Sequence, residues 1–192
     1  MSSKCRDGRN LFRVYGPFEL AFFKGSRLLD SEESARRIIE DIAARYPSDN
    51  LERKGGCYIF AMRTGGRGKK GGHFVPWYVG KAKRQPLLKE SLNHRNFNRF
   101  YSKVAMSGHG RPLLFWIAKA APGHVNALNA NELNQMEREL IAYALECNPE
   151  LKNSHHKARL TFKIEGLPLS GQHHPRQRSG AARQLADMLL GS

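Results

Sequence analysis

The segments GCYIFAM (residues 56–62) and FVPWYVG (residues 74–80) decide the fold of this chain. Both are short and apolar, contain aromatic and β-branched residues, and carry glycine at one end, which is typical of β-strands. The intervening segment TGGRGKKGG (residues 64–72) has glycines that permit turns and cations that favour solvent or phosphate. We therefore predict that the two segments form a β-hairpin.

The residues before the hairpin predict a helix and a shorter apolar element. Residues 1–29 contain brief apolar pieces, which we interpret as a strand or a packed arm. Asp30 is placed as a helix N-cap, with Glu33 as its capping-box partner. The amphipathic helix that follows ends before Pro47.

The residues after the hairpin complete the predicted set of elements. Residues 84–106 have helical character in pieces, and residues 113–117 are apolar on both faces, which indicates a central strand. A long helix is predicted from near Asn129 to near Cys147. Residues 180–190 predict a short amphipathic helix that docks on the domain.

These elements predict an α/β fold of the α+β type. We expect a small, three-stranded, mainly antiparallel sheet flanked by helices. Residues 1–53 would form an N-terminal extension with the amphipathic helix, residues 54–155 the main domain, and residues 156–192 a basic C-terminal tail.

The charge of the chain favours a polyanionic partner. Its 192 residues include 32 Lys and Arg against 17 Asp and Glu, a net charge of +15 with His neutral. A protein that neutralises phosphates with cations releases condensed counterions, which favours nucleic-acid binding. The positive charge is spread through the central region as well as the ends, so we prefer nucleic acid over the alternatives of simple solubility or acidic lipids.

The cysteines and the termini exclude other classes of protein. Cys5, Cys57 and Cys147 are far apart and odd in number, which argues against a disulfide framework and a thiolate zinc site. The N-terminus lacks the apolar core of a signal peptide, and no apolar run has the length of a membrane span. We expect a reducing, cytoplasmic location.

Two further groups of titratable residues have alternative interpretations. On a helical wheel Glu137 falls inside the apolar stripe of its helix, whereas Arg138 and Glu139 fall outside it. A carboxylate there needs compensation, either by a buried Arg or Lys or by a divalent cation. The adjacent histidine pairs are interpreted as solvated or phosphate-contacting residues rather than zinc ligands. These pairs are His155, His156, His173 and His174.

The order of polar residues and elements resembles that of the GIY-YIG nuclease superfamily. The name-giving tripeptides correspond to Gly56-Cys57-Tyr58 and Tyr78-Val79-Gly80. The segment MERELI (residues 136–141) is similar to the family's Leu-Glu-x-x-Leu-Ile helix and selects Glu137, as the helical wheel does. The segment NPELKN (residues 148–153) is similar to the one that ends in the family's Asn. The resemblance covers roughly residues 54–155, and the ordered set is specific although each tripeptide alone is not.

The chain departs from the family pattern at two places. The interval from Tyr58 to Tyr78 is longer than usual, and the excess falls in the Gly/Lys loop, where an insertion costs little. The family's Arg, counted from the second tripeptide, falls on Leu88. The candidates for its role are Lys89, Arg84 and Arg95.

The resemblance implies a metal-dependent endonuclease that hydrolyses phosphodiester bonds, with double-stranded DNA as the expected partner. Glu137 would bind one divalent cation, Mg²⁺ or Mn²⁺. Tyr58 would orient or deprotonate the attacking water, with Lys81 as the cation that assists it. Tyr78 would contact the phosphate or hold Tyr58, and Asn153 would hold the site in shape.

The remaining implied site residues contact the substrate or its phosphate. Lys89 and His94 would contact the phosphate or assist proton transfer, while Gly56 and Gly80 would permit close backbone approach. The implied catalytic residues are Tyr58, Tyr78, Lys89, His94, Glu137 and Asn153. The implied substrate-binding residues are Gly56, Gly80, Lys81, Lys83 and Arg84.

Two other functions stay open at this point. One is a catalytically inactive nucleic-acid-binding module on the same fold. The other is a basic RNA-associated protein with chance similarity, in which Glu137 and Tyr58 would lie far apart. Trp77, Phe97, Tyr101 and Trp116 are interpreted as core residues rather than base-stacking platforms.

Overall fold

The computed structural model describes residues 11–65, 72–107, 110–120, 129–153, 163–165 and 180–190. It is a mixed α+β fold with one large and one small sheet. The predicted Gly/Lys loop lies outside the described residues over positions 66–71, as do Cys5 and the histidine pairs. The strands are β1 (Leu11–Glu19), β2 (Ala21–Phe22), β3 (Leu29–Asp30), β4 (Gly56–Thr64), β5 (His73–Ala82), β6 (Arg111–Lys119) and β7 (Lys163–Glu165).

The helices vary from single turns to five turns. A short 3₁₀ turn lies at Leu51–Arg53, and a π-helical turn at Phe97–Tyr101 joins α3 to α4. The helices are α1 (Ser31–Arg45), α2 (Leu87–Ser91), α3 (His94–Asn96), α4 (Ser102–Ser107), α5 (Ala130–Cys147) and α6 (Gly180–Leu190). The helical pieces predicted over residues 84–106 and the long helix from near Asn129 to near Cys147 are confirmed.

The large sheet has the strand order β5-β4-β6-β1-β7. The predicted hairpin is confirmed, since β4 and β5 pair antiparallel over their length. The prediction of three strands is wrong, because β1 pairs antiparallel with β6 and β7 pairs parallel with β1. The apolar pieces before the hairpin form a full strand, β1, which pairs with the second edge of β6, and β7 then pairs with the other edge of β1.

The sheet divides the interior into two hydrophobic clusters. Alternate residues of β4 point to opposite faces, so Cys57 and Ile59 pack with α5 and α6, whereas Tyr58 and Phe60 pack with the helices around α2 to α4. We call these the α5 face and the α2 face. The docking predicted for the C-terminal helix is confirmed, since α6 packs against β1, β5 and α5.

The start of α1 follows its sequence signal in part. The Asp30 carboxylate accepts hydrogen bonds from the backbone N–H groups of Glu32 and Glu33, both at 3.0 Å, so the predicted N-cap is confirmed. The Glu33 carboxylate, expected to complete a capping box, accepts hydrogen bonds from Arg36 and Arg37. Within the described ranges, none of the helices combines the length and apolar character that crossing a lipid bilayer requires.

Candidate active site

Tyr58 is enclosed at the centre of the predicted site. It lies on β4 directly opposite Gly80 of β5, and its side chain is 1% exposed. A Cβ at Gly80 would lie 2.3 Å from both Cζ and the hydroxyl oxygen of Tyr58. Gly80 therefore leaves the space that the Tyr58 ring fills, rather than space for substrate backbone.

A side chain is excluded at Gly56 for a different reason. Its φ is +158°, and a Cβ there would lie 2.1 Å from the backbone oxygen of Ile117 on β6. The contact is between backbones, so neither strand has a flexible side chain that can give way. Gly56 allows β4 and β6 to pair closely at the end of the sheet where the site lies.

The phenol of Tyr58 is held by a hydrogen bond and lies beside that of Tyr78. Asn96 Nδ2 donates to the Tyr58 hydroxyl at 2.7 Å and to the backbone oxygen of Glu90 at 2.9 Å. A carbonyl can only accept, so the contact with Glu90 fixes which end of the amide faces Tyr58. The ring centroids of Tyr58 and Tyr78 lie 6.2 Å apart, and the two phenols interact electrostatically.

Burial makes both phenols weaker acids than usual. It raises the pKa of Tyr58 well above the ordinary value of 10.0, and it is also the largest cause of the raised pKa of Tyr78. The negative charge of Glu137 raises the pKa of Tyr78 further, while the interaction with the Tyr58 phenol and the charge of Arg95 lower it. Deprotonation of water by Tyr58 needs a lowered pKa, and the structure shifts it in the opposite direction.

Glu137 forms an ion pair on the α5 face. Its Oε2 lies 2.6 Å from Lys81 Nζ, and the side chains of Glu137 and Lys81 are 19% and 33% exposed. The sequence left open whether a basic side chain or a divalent cation compensates this carboxylate. The structure places a lysine beside it. Lys81, expected to assist Tyr58, instead serves Glu137, because it follows Gly80 on β5 and so points to the other face.

Tyr78 connects the two halves of the site. Tyr58 and Glu137 belong to opposite faces of the sheet, but β5 is its edge strand. Glu137 is close enough to raise the pKa of Tyr78 and of the buried Cys57 thiol. Phe100 stacks on Tyr78 with ring centroids 4.7 Å apart and holds the ring in place.

The helical wheel misplaced one carboxylate of α5. Glu139 was expected outside the buried stripe, yet it is 8% exposed. The prediction is wrong because α6 packs against α5 in addition to the sheet, which widens the buried surface of the helix beyond one stripe. Arg138 is exposed, as expected.

Asn153 holds the edge of β5. Its Oδ1 accepts from the backbone N–H of Val79 at 2.9 Å, and its Nδ2 donates to the backbone oxygen of Val79 at 2.8 Å. Asn148, which the sequence analysis did not single out, donates to the backbone oxygen of Pro76 at 2.7 Å. The segment 148–153 therefore occupies the open edge of the sheet, and Asn153 acts as a positioning residue for the strand that carries Tyr78.

We expect Asn153→Ala to lower the free energy of unfolding by about 1–3 kcal/mol, since two half-buried hydrogen bonds are lost. Chemical denaturation of the purified variant measures this. Asn131→Ala, at an exposed asparagine of α5, is the matched control and should change stability little. Equal stability of the wild type and Asn153→Ala would contradict the proposed role.

The predicted cations are spread around the site rather than gathered in it. Lys83, Arg84 and His94 are exposed, and the His94 ring is hydrogen-bonded to Asn98. Lys89 lines a groove between α1 and α2 together with Ser31, Glu32, Ala35, Gln85, Leu88, Leu92 and Asn93. Arg95, by contrast, is close enough to Tyr78 to lower its pKa. Among the candidates for the family's Arg, the placement favours Arg95.

Glu137 is the candidate ligand for a hard divalent cation. One partly exposed carboxylate suits a cation such as Mg²⁺, which keeps several waters and needs few protein ligands. The Lys81 ammonium already lies beside this carboxylate, so a metal ion bound by Glu137 would have to displace it. Among the described residues, no three His, Cys, Asp or Glu side chains are grouped as a metal cluster. The donor set fits a hydrated Mg²⁺ or Mn²⁺ rather than a closed zinc site.

Comparison with protein-family models, with curated proteins and with solved structures finds no match to this chain. The resemblance to the GIY-YIG superfamily thus depends on its sequence motifs.

Asn96 is the functional residue that sequence reasoning missed. The local signal was Asn93, whose Oδ1 accepts from the backbone N–H of Asn96 at 2.9 Å and caps α3. That signal places a helix start but says nothing of Tyr58, which lies 38 positions away in the chain.

Proposed function

We propose that this chain is a metal-dependent endonuclease that hydrolyses phosphodiester bonds, with double-stranded DNA as the first substrate to test. The observation that carries the proposal is the setting of the Tyr78 hydroxyl. The Tyr78 ring lies beside that of Tyr58, with centroids 6.2 Å apart, and the charges of a carboxylate, Glu137, and a guanidinium, Arg95, act on the Tyr78 hydroxyl. Phosphodiester hydrolysis needs a polar group at the water and cationic groups at the phosphate, and these types of side chain meet here.

The fold supports the same proposal. The β4–β5 hairpin, the helices after it, β6 and α5 follow the order of elements in a GIY-YIG nuclease domain. We propose that they form such a domain, to which β1, β7 and α6 are added. The free thiols of Cys57 and Cys147 agree with the reducing, cytoplasmic location that we propose.

The different surroundings of the two phenols divide the work between them. Tyr78 is the group that meets the water or the phosphate, and Tyr58 is a positioning residue that Asn96 and Gly80 hold in place. Arg95 neutralises charge on the phosphate, and a fork of N–H donors suits that task better than an ammonium. A divalent cation held by Glu137 would add Lewis-acid stabilisation of the phosphate and the leaving oxygen.

A catalytically inactive nucleic-acid-binding module is the second candidate. The ion pair between Lys81 and Glu137 favours it, since a carboxylate compensated by a lysine needs no metal. The raised pKa of both phenols is also what buried structural tyrosines show. In this case the exposed cations around the site would bind phosphates without cleavage.

Nicking of supercoiled plasmid, with and without Mg²⁺, tests the proposal. We expect wild-type cleavage that requires the metal, and a loss of about 10²–10³-fold in Tyr78→Phe, the range for removing one hydrogen-bond donor that stabilises the transition state. Tyr58→Phe should lose less, because its hydroxyl acts through Tyr78.

Tyr46→Phe is the matched control. Its hydroxyl contacts the backbone of Gly16 at 3.4 Å, on the α1 side of the protein. Cleavage by Tyr78→Phe at the rate of the control would remove Tyr78 from the mechanism. Plasmid binding without any metal-dependent nicking by the wild type would establish the binding module instead.

A further inference from the structure

A β-bulge changes the direction of the Trp77 side chain. The β4–β5 register passes from Phe60 paired with Tyr78 to Ala61 paired with Pro76, which leaves Trp77 as the extra residue. Consecutive residues of a regular strand point to opposite faces, but Trp77 and Tyr78 both pack against the cluster of the α2 face. The bulge therefore places the indole beside the candidate active site.

Trp77 also differs from the other aromatic residues that were predicted to be core. Trp116 and Tyr101 are both 0% exposed and Phe97 is also buried, so the core prediction is confirmed for them. Trp77 is only partly buried. Part of a large aromatic surface is thus left to solvent next to Tyr78, where a ligand can reach it.

An exposed cation accompanies the indole. Lys152 Nζ lies over the Trp77 ring, 5.5 Å from its centroid, and the Lys152 backbone N–H donates to the Trp77 backbone oxygen at 3.0 Å. Asn148 and Asn153 bind the flanking residues of β5, so the backbone that carries Lys152 is tied to the strand on both sides. The two residues are therefore neighbours before any ligand binds, and the exposed Lys152 side chain can turn from the ring to a phosphate when a base stacks there.

We propose that Trp77 and Lys152 form a binding site for an unpaired nucleotide, with its base stacked on the indole and its phosphate bound by the ammonium. Aromatic side chains bind bases by stacking, and cations bind the backbone phosphate. Bases inside a regular duplex already stack on one another, so this site selects a single-stranded or locally unpaired nucleotide. The proposal rests on the proposed function, because it names the substrate class of the same site.

Oligonucleotide binding in EDTA tests the proposal without cleavage. The probes are a dye-labelled 12-nucleotide oligothymidylate and a dye-labelled duplex of the same length. Fluorescence anisotropy measures the binding of each. We expect Trp77→Ala and Lys152→Ala to weaken single-strand binding, by about 5- to 150-fold for Trp77→Ala, the range reported for loss of one stacked base. Duplex binding should change less than threefold. Lys103→Ala, at an exposed lysine of α4, is the charge-matched control.

Intrinsic fluorescence gives a second measurement that does not depend on a destabilising variant. The chain has two tryptophans, and Trp116 is fully buried. We expect oligothymidylate to quench the wild type and to leave Trp77→Phe unquenched. Absence of quenching at saturation, absence of single-strand binding, or an equal loss for single strand and duplex would each overturn the site. Nicking with no quenching would reject this site alone, whereas quenching with no nicking would reject only the proposed hydrolysis.

Discussion

Glu137→Gln is expected to abolish Mg²⁺-dependent nicking while leaving the fold intact. The substitution removes the charge that a hard cation requires but keeps the size and shape of the side chain. Stabilisation of the phosphate by a metal contributes several kcal/mol, so the loss should exceed about 100-fold. Initial rates of plasmid nicking across a Mg²⁺ titration measure it. Glu150→Gln, at an exposed carboxylate after α5, is the charge-matched control and should nick as the wild type does.

The thermal stability of the same variants separates a metal ligand from a structural ion pair. If Glu137 binds the metal, Mg²⁺ should raise the Tm of the wild type but not that of Glu137→Gln. The pair with Lys81 is partly exposed, so its loss alone should cost no more than about 1 kcal/mol. Unimpaired nicking by Glu137→Gln would end the proposal that this carboxylate holds a catalytic metal. An equal Mg²⁺ effect on both proteins would place any bound metal elsewhere.

Gly80→Ala is expected to lower both stability and activity. The added methyl group would lie 2.3 Å from the ring and hydroxyl of Tyr58, which is fully enclosed and has no room to move. Overpacking of this kind costs about 1–3 kcal/mol, which in a domain of this size lowers the Tm by about 2–12 °C. Displacement of Tyr58 also breaks its hydrogen bond with Asn96 and disturbs its packing beside Tyr78, so nicking should fall in the variant that remains folded.

Two further variants control this result. Gly180→Ala places the same methyl group on a helix where nothing lies within 4 Å, so stability should be unchanged or slightly increased. The double variant Gly80→Ala/Tyr58→Leu replaces the ring by a shorter side chain and should recover stability without recovering activity. A fully stable and active Gly80→Ala would show that Tyr58 does not occupy the space opposite this glycine.

The hairpin and the long helix could be predicted because their signals are local. Apolar runs bounded by glycine marked β4 and β5, and apolar residues at helical spacing marked α5. The same kind of local signal placed Asp30 as an N-cap and residues 180–190 as a helix that docks. Glu137 was selected by its place in the apolar stripe, and its partial burial agrees with that selection.

The environment of each site residue could not be predicted in the same way. Asn96 and Tyr58 lie 38 positions apart, and Lys81 and Glu137 lie 56 apart, so no spacing rule connects them. The direction of the Tyr58 pKa shift depends on how deeply the phenol is buried. A strand pattern does not show this burial, because it depends on the space that Gly80 leaves on the neighbouring strand. The GIY-YIG resemblance stays a prediction, tested by the nicking experiments above.

The sequence by itself determined which segments become strands and helices, because hydrophobic period, caps and glycines act within a few residues. Only the tertiary structure decided which segments pair: β1 took the second edge of β6, and β7 took the other edge of β1. It also decided that Glu139 is buried, that the charge of Arg95 acts on Tyr78, and that a bulge turns Trp77 toward the site. These outcomes depend on contacts between distant residues, and burial and charge at a site are set by those contacts.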